Sequence, residues 1–113
     1  MPFIKAFSKS ELKPGEGKCV ALGGKRIAVF NVDGHFMAVD DRCTHDYASL
    51  AEGTVLQKDG RCIIECPWHG AHFDLQNGTV LSFPAVTPVK AYTVRIEGEF
   101  LEVEVNEPEG AKT

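Results

Sequence analysis

The clearest alternation of apolar and polar residues lies near the end of the chain, where Leu101, Val103 and Val105 fall on one side of an extended backbone and Glu102 and Glu104 on the other. This pattern predicts a half-exposed antiparallel strand, with Tyr92 to Glu97 as its hairpin partner. Ile27 to Val32 and Phe36 to Asp40 flank Asp33-Gly34, a dipeptide that tolerates positive φ, and predict a second tight hairpin. Cys62 to Glu65 and His72 to Leu75 read as strands, which leaves Cys66-Pro67-Trp68-His69 between them as a loop. Further turn dipeptides stand at Pro14-Gly15, Gly23-Gly24, Asp59-Gly60, Asn77-Gly78 and Glu97-Gly98. No stretch of about 11 residues carries a helical stripe; Ser10-Glu11-Leu12-Lys13 is expected to form one turn at most. The reading is an all-β fold, with Phe3, Ile4 and Phe7 as core candidates and a tail over 106–113.

Length and composition narrow the picture. The 113 residues are expected to form a single domain, 1–113, and 43% hydrophobic with 25% charged residues is the balance of a compact globular protein. A net charge of -4 argues against a nucleic-acid partner and favours a protein partner with basic patches. No apolar run approaches the roughly 18 residues of a membrane span, and Met1 to Phe7 lacks the charged-then-apolar order of a secretion signal. The expectation is a cytoplasmic monomer with no membrane contact. In a reducing compartment the four cysteines are better read as thiols or metal ligands than as disulfides.

Two short motifs then carry the chemistry. Cys43-Thr44-His45 and Cys66-Pro67-Trp68-His69-Gly70, separated by residues 46–65, each offer one thiolate and one imidazole from one loop. Such a set suits zinc as well as iron, although zinc fingers commonly pair Cys with Cys and then His with His. A second grouping, Cys62 and Cys66 with His69 and His72, would strand the first motif. His72-Phe73-Asp74, with His35, has the donor types of a two-His, one-carboxylate iron site but not its order. Cys19 and Cys62 read as small buried hydrophobes, and His35 and His72 as surface residues.

The C-x-H and C-x-x-H-G pair resembles the Rieske family, and the similarity extends to Glu11-Leu12-Lys13-Pro14-Gly15-Glu16 and Phe83-Pro84-Ala85. The resemblance implies an antiparallel β-sandwich with a small cluster-binding part, about 43–72, made of two loops. It implies one 2Fe-2S cluster, with Cys43 and Cys66 on one iron and His45 and His69 on the other. Two ferric ions carry six positive charges; two sulfides remove four and two thiolates two, so neutral imidazoles leave the centre neutral. Four thiolates would leave it doubly negative. Adding an electron is easier to the neutral centre, which places such sites at roughly -150 to +300 mV. High-potential members carry an extra Cys in each loop, and Asp46, Tyr47 and Trp68 stand here instead, so the lower part of that range is expected. By the same resemblance Gly70 lets backbone N–H groups approach the cluster sulfurs and Pro84 belongs to a third loop beside it; Trp68, of a residue type favoured at interfaces and in cores alike, shields the cluster, marks a docking face or packs in the core. Asp46 departs from the Gly common after the first His ligand, and its carboxylate disfavours the added electron.

A free-standing chain of this kind is similar to the ferredoxin component of ring-hydroxylating dioxygenase systems. That likeness implies a soluble one-electron carrier, itself no enzyme, between a flavin-dependent ferredoxin reductase and a terminal oxygenase. The alternatives are the small subunit of an assimilatory nitrite reductase, whose members often lack the ligands, and a zinc-binding structural or interaction domain.

Overall fold

The computed structural model describes residues 3–42, 49–67, 70–82 and 88–105. Among these residues eleven strands follow in order: β1 Phe3–Ser8, β2 Gly17–Leu22, β3 Lys25–Val32, β4 His35–Asp40, β5 Thr54–Lys58, β6 Arg61–Glu65, β7 His72–Asp74, β8 Val80–Ser82, β9 Ala91–Tyr92, β10 Val94–Glu97 and β11 Phe100–Glu104. They form three antiparallel sheets with strand orders β1-β11-β10, β2-β3-β4-β9 and β5-β6-β7-β8. Two 3₁₀ turns, Lys9–Glu11 and Leu50–Glu52, are the helical pieces among the described residues. The first overlaps the turn expected at Ser10 to Lys13, starting one residue and ending two residues earlier.

The expected hairpin across Asp33-Gly34 is present, with Val32 opposite His35 and φ of 57° at Asp33 and 93° at Gly34. Positive φ at both central residues matches the turn twist to that of the flanking strands. β11 alternates as its sequence pattern requires: Leu101 and Val103 are fully buried and Glu102 and Glu104 are not. The partner expected over Tyr92 to Glu97 is divided. Tyr92 belongs to β9, beside β4, whereas Val94–Glu97 pairs with β11. The chain changes sheets at Thr93, whose carbonyl accepts the Glu104 N–H at 2.8 Å. Tyr92 stays with the middle sheet because its ring is buried and its hydroxyl donates to Asp40 Oδ1 at 2.6 Å.

The middle sheet is packed on both faces. Ile27 and Val29 of β3, with Ala38, join Phe7, Leu101 and Val103 in one core; Ala28, Phe30 and Val32, with Val39, join Ile64, Phe73 and Leu75 in the other. Successive side chains of a strand point to opposite faces, so the unbroken run Ile27 to Phe30 serves two cores at once. The expected sandwich thus has a third layer, β5 to β8, and this layer carries the second motif. The buried polar residues are satisfied: Asn31 donates to Leu12 O and accepts from Gly34 N–H, while Asp74 Oδ1 accepts the Gln76 N–H. Leaving such groups unpaired costs about 1–3 kcal/mol each.

Candidate metal centre

Cys66 follows directly on β6 and is 2% exposed, packed in the core that contains Ile64, Ala71 and Val89. Its N–H donates to Ala71 O at 2.8 Å, so the chain that leaves at Cys66 returns at Ala71 and continues into β7. The strands that bracket this loop are the two expected from sequence, and Ile64 opposite Phe73 with Glu65 opposite His72 fixes their register. Within the turn, Gly70 has φ of 72°, a backbone that β-carbon-bearing residues adopt only with strain. The positive φ at this position is therefore met by the glycine that closes the second motif.

The first motif is framed by Arg42 and Ser49, which pair as an isolated antiparallel bridge and bring the two ends of segment 43–48 together. Cys43, His45 and Asp46 themselves lie outside the described residues, as do Trp68, His69, Pro84 and the tail 106–113. Of the four expected donors, Cys66 is the one whose surroundings the structure describes.

The competing donor groupings fare differently. Among the described residues no group of three or more His, Cys, Asp or Glu side chains could hold a metal ion. Cys62, Cys66 and His72 are therefore not gathered into a site, and neither are His35, His72 and Asp74. Cys62 packs on the core face with Ile64, as the strand period requires. Burial first, and the Asp74 charge second, push its thiol above the ordinary value, so at neutral pH it stays protonated. Cys19 is half-buried, and its thiol is pushed up by burial and then by the charge of Asp41. The Cys19 thiol therefore faces a carboxylate, a more polar setting than the sequence reading gave it.

His35 is exposed as expected, but His72 is only half-exposed, with Nε2 3.2 Å from Glu65 Oε2. The two are directly opposite on β7 and β6, where a cross-strand pair of this kind contributes roughly 0.2–1 kcal/mol. Sequence reading placed both residues on strands but had no register from which to pair them. It also passed over Asp41, a carboxylate 2% exposed at the end of β4, because a lone Asp after an apolar strand has no spacing signal.

The geometry at Cys66 fits an iron-sulfur ligand. A thiolate held off solvent at this position would have its bond to an iron protected from competing water. Two Cys and two His donors, from two loops with one of each, also match the mixed donor set of a Rieske centre.

Comparison with known proteins agrees with this chemistry. Residues 3–93 match the family described as Rieske [2Fe-2S] domain. The biphenyl dioxygenase ferredoxin subunit of Pseudomonas sp. (strain KKS102) is 44% identical over 98 residues, 87% of this chain and 87% of that protein. A chain of the complex of reduced oxygenase and oxidised ferredoxin in carbazole 1,9a-dioxygenase superimposes with a TM-score of 0.77 at 35% identity, covering 89% of this chain and 91% of that one. A Mycobacterium tuberculosis chain assigned as an NADH-dependent nitrite reductase small subunit gives a TM-score of 0.85 at 28% identity, over 94% and 97% of the two chains. The backbone is thus shared by both groups, while these two dioxygenase proteins are more similar in sequence than this nitrite reductase chain. The matched span runs from β1 through β9 and takes in both Cys-His motifs, and so the chain belongs to the Rieske 2Fe-2S domain family, whose fold binds a 2Fe-2S cluster.

Proposed function

We propose that this chain is the one-electron carrier of an aromatic-ring dioxygenase system, taking electrons from a flavin-dependent ferredoxin reductase and delivering them to a terminal oxygenase. The observation that carries this reading is the 44% identity to a biphenyl dioxygenase ferredoxin subunit across 87% of both chains. The protein works as a cytoplasmic monomer of one domain, 1–113. In the described residues no helix is long and apolar enough to cross a membrane.

Cys43 and Cys66 hold one iron, and His45 and His69 the other. When bound, the cluster supplies reversible one-electron transfer. The chain's own part is to position and shield. Cys66 is fixed by its backbone bond to Ala71 and kept from water by the core around it, so little reorganisation accompanies a change of charge. Gly70 closes the motif that bears His69, and Trp68 and Pro84 are assigned as supporting residues of the same site. Asp46 adds a negative charge beside His45, which suits a transient, salt-sensitive contact with a basic partner.

The second reading, a nitrite reductase small subunit, has the closer backbone overlay in its favour. The presence of all four donors weighs for the carrier, since a subunit with a structural role alone has no need of them. The test is reconstitution. With a ferredoxin reductase and NADH, the chain should be reduced and should in turn support turnover of a ring-hydroxylating oxygenase. Reduction without any transfer to an oxygenase, together with specific association with a nitrite reductase large subunit, would reverse the assignment.

A further inference from the structure

Asp41 stands where the middle sheet hands the chain to the first Cys-His motif, and it is one of the three buried polar residues of the described structure. Its Oδ1 accepts the Ser49 hydroxyl at 2.8 Å and the Ala51 N–H at 3.0 Å. Its main-chain carbonyl accepts the Leu50 N–H at 2.6 Å, and its own N–H donates to Arg26 O at 3.0 Å. One residue before the motif therefore grips three consecutive residues after it, while being tied to β3 behind. The Ser49 side chain makes no capping bond to the 3₁₀ turn it precedes; it is turned to Asp41 instead.

Burying a carboxylate is costly unless it is well paired. Its nearest cation, the Arg26 guanidinium, is 3.8 Å from Oδ2 and 69% exposed, so water screens most of that attraction. The hydrogen bonds at Oδ1 are what compensate the burial, and both come from the far side of segment 43–48. A charged acceptor strengthens such bonds to roughly twice those of neutral pairs.

We infer that Asp41 is a positioning residue for the cluster, its carboxylate holding together the residues that flank segment 43–48, so that the stretch bearing the proposed ligands Cys43 and His45 begins and ends on a fixed frame. This inference rests on the ligand assignment proposed above. A site bridged between two loops has to hold both donor pairs at once, and in the second motif Cys66 is already fixed through β6, β7 and its bond to Ala71. With the clamp released, the first pair must be ordered each time the cluster binds, and that entropic cost appears as faster cluster loss.

The test compares reconstituted wild type with Asp41→Ala, Asp41→Asn and Tyr92→Phe. Iron and labile sulfide per chain, the spin-resonance spectrum of the reduced protein, the rate of cluster loss and thermal unfolding are all recorded. Asp41→Ala removes the acceptor and should lose its cluster about tenfold faster or more, the loss expected for hydrogen bonds to a charged group, with an altered spectrum. Asp41→Asn keeps an oxygen for both donors but not the charge, and should keep the wild-type spectrum with a loss rate between those of wild type and Asp41→Ala. Tyr92→Phe removes a hydrogen bond to the adjacent Asp40 and should lower the unfolding temperature without moving the spectrum or the loss rate.

A spectrum and loss rate for Asp41→Ala equal to wild type would overturn the clamp. So would an Asp41→Asn as impaired as the alanine variant, or a Tyr92→Phe that loses its cluster as fast. If Asp41→Ala does not fold, Ser49→Ala, which deletes one donor, should still speed cluster loss several-fold, and an unchanged rate would overturn the clamp. A wild type with neither sulfide nor the signal would instead sink the ligand assignment, and the clamp with it.

Discussion

Tyr92 illustrates how single residues set the pH range of this fold. Burial, and then the hydrogen bond to Asp40, push its phenol well above the usual tyrosine range. Tyrosine in an unfolded chain ionises near pH 10, so above that pH the unfolded state sheds a proton that the folded state keeps. The stability Tyr92 contributes is therefore complete below about pH 10 and lost as pH rises toward its folded value. Denaturant unfolding of wild type and Tyr92→Phe should show a gap in stability at pH 8 that narrows at pH 11; a gap that stays constant would contradict the assignment of that shift to Tyr92. At the proposed ligands, His69→Cys replaces a neutral donor by a thiolate and adds a negative charge to the centre. Its reduction potential should fall below that of wild type by voltammetry, and an unchanged potential would show that His69 is not bound to iron.

At the scale of strands and turns, the middle sheet is the element that both cores share. Phe30 is fully buried between the middle sheet and β5 to β8, so Phe30→Ala should cost about 3–5 kcal/mol in chemical denaturation. Gly78 has φ of 78°, and a β-carbon there would overlap the Val89 carbonyl that follows segment 83–87. Gly78→Ala should destabilise the protein by about 1–3 kcal/mol for the backbone alone, with more from the overlap, and a neutral effect would mean that this contact is not maintained. These elements were not equally legible. The Asp33-Gly34 hairpin and the alternation of Leu101, Val103 and Val105 could be read because their causes are local: a turn that needs positive φ, and one buried face. The double burial of Ile27 to Phe30 was hidden, since a short apolar run does not say how many sheets it touches. The sheet change at Thr93 and the pairing of Glu65 with His72 depend on register, which follows from tertiary packing. In the candidate site, the Cys66 loop was visible from its bracketing strands and Gly70. Asp41 was not, because its partners Ser49 and Ala51 become neighbours only when the chain returns across the first motif.

For the whole molecule, a net charge of -4 and the proposed docking end around Asp46 imply electrostatic guidance toward a basic partner. The rate of electron delivery to the oxygenase should fall as ionic strength rises, and Asp46→Lys should slow it at low salt while leaving the visible spectrum intact. Unchanged transfer kinetics in that variant would place the contact elsewhere on the surface. All of these expectations stand on the metal centre itself. The most direct measurement is the metal and labile-sulfide content of chain purified without oxygen, with its spin-resonance spectrum after one-electron reduction. Two irons, two labile sulfides and a signal that appears only on reduction are predicted. Stoichiometric zinc, with no labile sulfide and no signal, would contradict the account.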